Sequence, residues 1–555
     1  MGTSFLFTKG ELNVSQRPNV LLILNDDMGY SDIGCYGGEV STPNLDRLAA
    51  NGLRFSQFYN TARCSPTRAS LLTGLHPHQT GVGILVDDDG PEGYAGNLNQ
   101  RGVTIAEVLK AQDYHTYMSG KWHVATDIFN PNDTWPRQRG FDRYYGIITG
   151  AADYYQPVTL TRDNDNAEHE ALADDFYLTD AISDDAVRNI RDHAAANPDQ
   201  PFFHYVAYTA PHWPLHAPEE DIAKYKGRFD EGWDVLREKR LKRLVEQGLL
   251  DPSLALSERD PSQPAWEDAD VKEWRLRRME VYAAQIDRMD QGIGRILQAL
   301  ENTGQLDNTL ILFLADNGGC AEELDEPFTS FLKKRRSLLE RAKDGSPIVY
   351  GNNPRELPGS QRTYQSYGVA WANLSNTPFR LYKHWIHEGG ISTPLIAHWP
   401  AGIGEQGGIR HSPGQLTDIM ATVLEVTGAP YPQTYQGRDI LPFEGESLAP
   451  LFKAESDDRG RGPLFWEHEG NSAVRTGPWK LVRNYPEAWE LYDIEADRTE
   501  LNDLAADYPD KVRELSGLYE QWAARAGVVP REKILEIYSK ARGEDISGGA
   551  HFIQK

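Results

Sequence analysis

The sequence predicts an α/β protein: a large mixed, mostly parallel sheet sandwiched by helices, followed by a smaller C-terminal antiparallel sheet plus helix. Three observations lead there. Continuous apolar runs such as Asn19-Val20-Leu21-Leu22-Ile23-Leu24 and residues 309–314 have the composition of strands buried on both faces. They alternate with amphipathic segments of helical period, the order that builds a parallel sheet with helices on both sides. From about Pro463 the pattern changes to short strands separated by glycine, proline and asparagine turns.

Taken in order, the first strand breaks off in Asn25-Asp26-Asp27-Met28-Gly29, which places carboxylates at its C-terminal end. Residues 42–49 read as a helix opened by Thr42-Pro43, and 54–59 as a strand. Cys64-Ser65-Pro66-Thr67-Arg68 then opens a second helix, with Ser65 as N-cap and Pro66 at the first helical position, where its missing N–H costs nothing. The free amides of that turn favour an anion, and Arg68 lies one turn from Cys64. A helix over 104–111 and strands over 115–119 and 201–208 follow. The helix over 271–300 carries Met279, Tyr282, Ile286, Met289, Ile293, Ile296 and Leu300 at three- and four-residue spacing, a core stripe. It feeds the strand that ends in Ala315-Asp316-Asn317-Gly318-Gly319. Ligands of open α/β sheets sit beyond the carboxyl ends of strands, so two strands ending in acidic clusters predict one shared site.

The C-terminal strands are expected near 464–466, 472–475, 479–482 and 489–492, with a helix over 509–524. Residues 528–555 have charged, tail-like composition and are a candidate oligomer contact. The expected division is 18–455, 456–530 and an extension over 531–555. Residues 86–99, 151–173 and 322–376 read as long irregular loops that shape a pocket, with Tyr154, Tyr155, Trp213 and Trp371 as aromatic candidates to pack an apolar leaving group.

The 555 residues carry 57 Lys plus Arg against 82 Asp plus Glu, a net charge of −25. Long-range electrostatics therefore disfavours nucleic acid and anionic membranes as partners, and an anionic substrate needs a local cationic pocket. Cys35, Cys64 and Cys320 are too few for a disulfide framework, which makes a cytoplasmic location the expectation, or a periplasmic one if a leader has been removed. No stretch approaches the ~18 apolar residues of a membrane span.

The chemistry rests on a few positions. Asp26, Asp27, Asp316 and Asn317 offer only hard oxygen donors, which suit Ca²⁺ or Mg²⁺ rather than zinc. Gly120-Lys121-Trp122-His123 follows a strand, as does Ala210-Pro211-His212-Trp213-Pro214, and Leu381-Tyr382-Lys383-His384 precedes His387-Glu388-Gly389-Gly390.

With Cys64-Ser65-Pro66-Thr67-Arg68, these segments resemble the type I sulfatases of the alkaline phosphatase superfamily, and more closely the bacterial arylsulfatases of the Pseudomonas type, over residues from about 19 to about 527. The resemblance implies an alkaline phosphatase-like fold and a small-molecule sulfate ester as substrate. It implies oxidation of Cys64 to formylglycine (3-oxoalanine) by a formylglycine-generating or anaerobic sulfatase-maturating enzyme. It implies a divalent metal, Ca²⁺ before Mg²⁺ or Mn²⁺, on Asp26, Asp27, Asp316, Asn317 and the converted Cys64. In that scheme one hydroxyl of the hydrated aldehyde attacks sulfur and the other expels sulfate. Arg68, Lys121 and Lys383 stabilise growing negative charge, His212 or Lys383 protonates the leaving group, and His123 removes the second hydroxyl's proton. The sequence departs from the family at Val124-Ala125 and at Ile391-Ser392-Thr393. The alternatives are a phosphonate monoester or phosphodiester hydrolase of the same superfamily and a catalytically silent anion-binding homologue.

Overall fold

The computed structural model describes residues 17–86, 90–325, 329, 338–453 and 460–542. Its centre is an 11-stranded sheet. The strand Asn19–Asn25 lies between Thr309–Ala315 and Phe202–Ala207, parallel to both. His115–Gly120 and Arg143–Ile147 extend the parallel set beyond Phe202–Ala207. On the other side Ser392–His398 runs antiparallel to both of its neighbours, Thr309–Ala315 and Leu53–Tyr59. The mixed sheet expected from the sequence is therefore present, with its acidic strand ends side by side: Asn25 is in register with Ala315.

The two-faced apolar runs explain the layering. Leu21, Ile23, Ile311 and Phe313 enter one core cluster, with the stripe of the helix Lys272–Asn302. Val20, Leu22, Leu24, Leu310, Leu312 and Leu314 enter another, with Ala69, Leu71 and Leu72 of the helix Cys64–Thr73 and the helix Ile105–Lys110. Successive side chains of one strand point to opposite faces, so each run anchors two layers at once.

Leu464–His468, Asn471–Thr476, Trp479–Arg483 and Glu490–Asp493 form the smaller four-stranded sheet, antiparallel throughout. One face, through Trp466, Ala473, Val482 and Tyr492, packs on Tyr59, Ile386 and Ile391 of the larger unit. The other, through Val474, Leu481 and Leu491, packs on Leu515, Tyr519 and Trp522 of the helix Pro509–Ala526. A buried ion pair reinforces the first contact, with Lys480 2.9 Å from Glu388, and Glu500, 2.8 Å from the same lysine, accepts from Glu388 N at 2.8 Å.

Several local expectations are corrected. The helix at the cysteine starts at Cys64, with Arg63 as N-cap in extended geometry, so Ser65 and Pro66 already lie inside its first turn. The reason is that Arg63 supplies the first helical carbonyl, accepting from Thr67 N at 3.0 Å. The tail-like segment contains the helix Arg531–Arg542, because Ile534 and Tyr538 recur one turn apart and pack on Ile84 and Tyr94. Residues 543–555 lie outside the described residues. The loop over 151–173 contributes the edge hairpin Leu160–Arg162 and Asp165–Asn166, and the loop over 322–376 contains the helix Val369–Ser375.

Candidate active site

The strand ends Asn25–Asp27 and Ala315–Asn317 meet beyond the sheet, and backbone registration does the joining. Asp316 N donates to Asn25 O at 3.1 Å, Asp27 N donates to Asp316 Oδ1 at 3.2 Å, and Asn317 Nδ2 donates to Asp27 Oδ1 at 2.6 Å. Thr67 of the cysteine helix donates to Asp316 O at 2.6 Å, which fixes that helix against the same edge.

Each carboxylate then has a cation. Arg68 Nη2 lies 2.8 Å from Asp316 Oδ2 and 3.7 Å from Asp26 Oδ1. Lys121 Nζ donates to Asp26 Oδ2 at 2.5 Å. Lys383 Nζ donates to Asp27 Oδ2 at 2.9 Å, and His212 Nε2 lies 3.3 Å from the same oxygen. Arg68, Lys121, Asp26 and Asp316 are fully buried, and Cys64 is 3% exposed. His212 is seated by Tyr154, whose hydroxyl donates to the carbonyls of Thr209 and His212 at 2.8 and 2.9 Å. Nine of the predicted positions thus form one cluster with Cys64 at its edge, where Lys121, Lys383, Asp26 and Asp316 all act on the thiol.

His123 sits in the same turn as Lys121. Its N–H donates to Ile148 O at 3.1 Å, and its ring lies against Gly150, where a Cβ would come within 2.2 Å of Nε2. Gly150 therefore makes the space that the imidazole occupies. At and around the site Asp27, Ala62, His123, Leu381 and His384 have positive φ, from 56° to 92°, five of the twelve such non-glycine residues among those described. Non-glycine residues hold that conformation when surrounding contacts over-determine it, a pattern that concentrates at functional sites.

Burial governs the electrostatics. It raises the Cys64 thiol above its ordinary value, so the unmodified side chain stays protonated and weakly nucleophilic. Burial and the neighbouring Asp26 push Asp316 up to about 7. Burial also drives Asp27 upward, but Lys383, His212, Asn317 and Lys121 together hold it well below the usual carboxylate range. His212 is pulled down to about 3 by burial, against the attraction of Asp27. The residues fit a divalent cation: Asp26 Oδ1 and Asn317 Oδ1 are buried without a hydrogen-bond partner, beside two further carboxylates, and every donor is a hard oxygen.

Arg63, Glu322 and Trp213 complete the surroundings, and only the last was singled out from the sequence. Glu322 pairs with Arg63 at 3.1 Å and accepts from Trp213 Nε1 at 2.8 Å. Trp371 is a correction to the aromatic pocket: its ring lies 5.3 Å from Trp233, 5.9 Å from Trp266 and 6.0 Å from Phe229, in the core. A second cluster, His384, His468 and Glu469, adjoins Lys383. In it His384 Nδ1 lies 3.0 Å from Glu469, which also faces Arg531 at 3.5 Å.

Comparison with known proteins gives the family. Residues 18–429 match the Sulfatase family, and residues 379–519 match the family described as N-sulphoglucosamine sulphohydrolase, C-terminal. The arylsulfatase of Klebsiella aerogenes is 34% identical over 80% of this chain and 94% of its own length. An uncharacterized sulfatase of Schizosaccharomyces pombe is 33% identical over 93% of this chain and 95% of its own. Among solved structures, Ps i-CgsB in complex with a neocarrahexaose superposes with a TM-score of 0.66 at 24% identity, covering 97% of this chain and 99% of that one, which supports the fold. The chain belongs to the sulfatase family and is a hydrolase of sulfate esters.

Proposed function

We propose that the chain hydrolyses sulfate monoesters of apolar alcohols, aryl or alkyl, using a formylglycine made from Cys64 by a separate maturation enzyme. The observation that carries this reading is the convergence of Arg68, Lys121 and Lys383, each on a different one of three buried carboxylates, around a cysteine at a helix start. A converted Cys64 supplies an oxygen nucleophile where the buried thiol has none. Asp26, Asp27, Asp316 and Asn317 would hold the divalent cation, Ca²⁺ by the chemistry of the donors, and that ion would lend positive charge to the sulfate oxygens.

The chain's own residues do the rest. Arg68, fixed by Asp316 and by the Lys121 carbonyl at 2.9 Å, presents a fully buried positive charge to the tetrahedral anion. Lys121 and Lys383 add charge where it grows in the transition state. His212 and Lys383, 3.4 Å apart, are the pair from which the departing alcohol takes its proton. His123 is assigned the removal of a proton from the second hydroxyl. Trp213, its ring 4.3 Å from that of His212, offers the apolar wall for the alcohol.

Matched 4-nitrophenyl sulfate and 4-nitrophenyl phenylphosphonate test the reaction class. The sulfate is expected to have the higher kcat/KM; a preference for the phosphonate would replace this reading with its phosphorus alternative. Mass spectrometry of the Cys64 peptide from the same active sample is expected to show a species lighter than the thiol, and Cys64→Ser, made in a host that oxidises only cysteine, is expected to abolish multiple turnover.

A further inference from the structure

Glu322 has a contact to, or next to, each of three site residues. One oxygen lies 3.1 Å from Nη1 of Arg63, the residue before Cys64. The other accepts from Trp213 Nε1 at 2.8 Å, immediately after His212, and lies 3.9 Å from Lys383 Nζ. Its own backbone is pinned, since Ser366 Oγ donates to Glu322 O at 2.6 Å. The residue is 7% exposed, and none of these partners is a proposed metal ligand. Although burial alone would raise its pKa, Lys383 and Arg63 draw it down to about 2, so the carboxylate is charged at neutral pH.

The geometry around it is directional. The Trp213 carbonyl faces His212 Nδ1 at 2.6 Å and the Trp213 ring abuts the imidazole, so the placement of the indole sets the placement of the imidazole. Lys383 is held between two carboxylates, Asp27 on one side and Glu322 on the other. Removing the second charge leaves Lys383 drawn to Asp27 alone and leaves Arg63 without its buried counter-ion.

We infer that Glu322 is a positioning residue for leaving-group protonation, aiming Lys383 directly and His212 through Trp213 at the oxygen of the departing alcohol. The inference rests on the reading above that one of those two residues supplies the proton. A group that delivers a proton matters little to an alcohol that leaves readily as its anion and much to one that does not.

The test is a series of aryl sulfates of rising leaving-group pKa, assayed with the metal-loaded, matured wild-type enzyme and with Glu322→Gln. The glutamine keeps an acceptor for Trp213 and removes the charge. Its expected kcat/KM is within about threefold of wild type for 4-nitrophenyl sulfate and about 10- to 100-fold lower for phenyl sulfate, most of the loss in kcat. The plot against leaving-group pKa therefore steepens, and Glu322→Asp recovers part of the slope. Trp213→Phe, which removes the indole donor and leaves the carboxylate, is expected to steepen it in the same direction and serves if Glu322→Gln does not fold. A uniform loss across the series in a folded variant overturns the inference. So does an unchanged slope in Glu322→Gln when His212→Ala or Lys383→Ala steepens it. An unchanged slope in both His212→Ala and Lys383→Ala instead removes the protonation reading itself, and this inference with it.

Discussion

Asp27 is where Lys383, His212 and Asn317 meet, and its carboxylate remains ionised in full burial because those partners outweigh the desolvation. Asp316, whose Oδ1 accepts from Asp27 N at 3.2 Å, has the opposite balance and is drawn toward neutrality by burial and Asp26. A bound divalent ion relieves that crowding, so calcium is expected to raise Tm and a chelator to lower it. Asn317→Ala removes an amide oxygen that lies buried without a hydrogen-bond partner beside the three carboxylates, and is expected to weaken calcium binding by at least about tenfold, measured by calcium titration of the folded variant. At this scale the sequence was legible wherever a residue belongs to a contiguous motif. Asp26-Asp27, Asp316-Asn317, Cys64 with Arg68, and Lys121 with His123 all stand in short, chemically loaded runs. Arg63 and Glu322 were not legible. Their significance is a contact between positions 259 apart in number, and nothing local marks either one.

Among the elements, the helix Pro43–Ala50 shows how far local signals reach. Thr42 precedes it as a capping residue should, yet makes no side-chain cap hydrogen bond. The free amides of Asn44 and Leu45 are instead met at 3.1 and 2.9 Å by Asp290 of the helix Lys272–Asn302. A tertiary partner has taken the role that sequence pattern assigns to a neighbour. Asp290→Ala strands the buried amide of Leu45 and the half-buried amide of Asn44, and a loss of about 1–3 kcal/mol in denaturant unfolding is expected, with kcat little changed in the fraction that remains folded. The helix Ile105–Lys110, by contrast, is capped as written, with Thr104 and Glu107 exchanging bonds at 3.0 and 2.7 Å. The start of the cysteine helix lies two residues before its expected place because a cap depends on backbone geometry that residue preference does not determine. The helix Arg531–Arg542 was hidden because its apolar stripe is short and becomes meaningful only against Ile84 and Tyr94, far earlier in the chain.

For the molecule as a whole, the broad architecture was readable because the strands of a doubly covered sheet are nearly pure apolar runs. The antiparallel insertion of Ser392–His398 was not, since strand direction is set by connections and leaves no compositional trace. Buried imidazoles give the whole fold a pH response. Burial lowers His204 to about 3 and His76 to about 4, so both are neutral when folded and protonated when unfolded over the interval between those values and about 6.5. The unfolded chain therefore binds more protons there, and stability falls as pH falls through that interval. Asp290, raised to about 6 by burial, and Asp316, raised to about 7, act in the opposite sense, and the imidazoles, with His212 lowered to about 3 as a third, outnumber them. Unfolding free energy is expected to drop between about pH 6.5 and 5, with a slope shallower by about one proton in His204→Gln.

The burial of Cys64 also sets a sequence of events in the life of the chain. Its helix lies under the strand Thr309–Ala315 and is fixed to Asp316 through Thr67, so the pocket around the sulfur closes only after residues near 316 have been made and docked. Under the proposed conversion of Cys64, a catalyst that alters this side chain would have to reach it before that docking is complete. Rapid folding would then compete with that conversion, and a chain that closes early would keep its thiol.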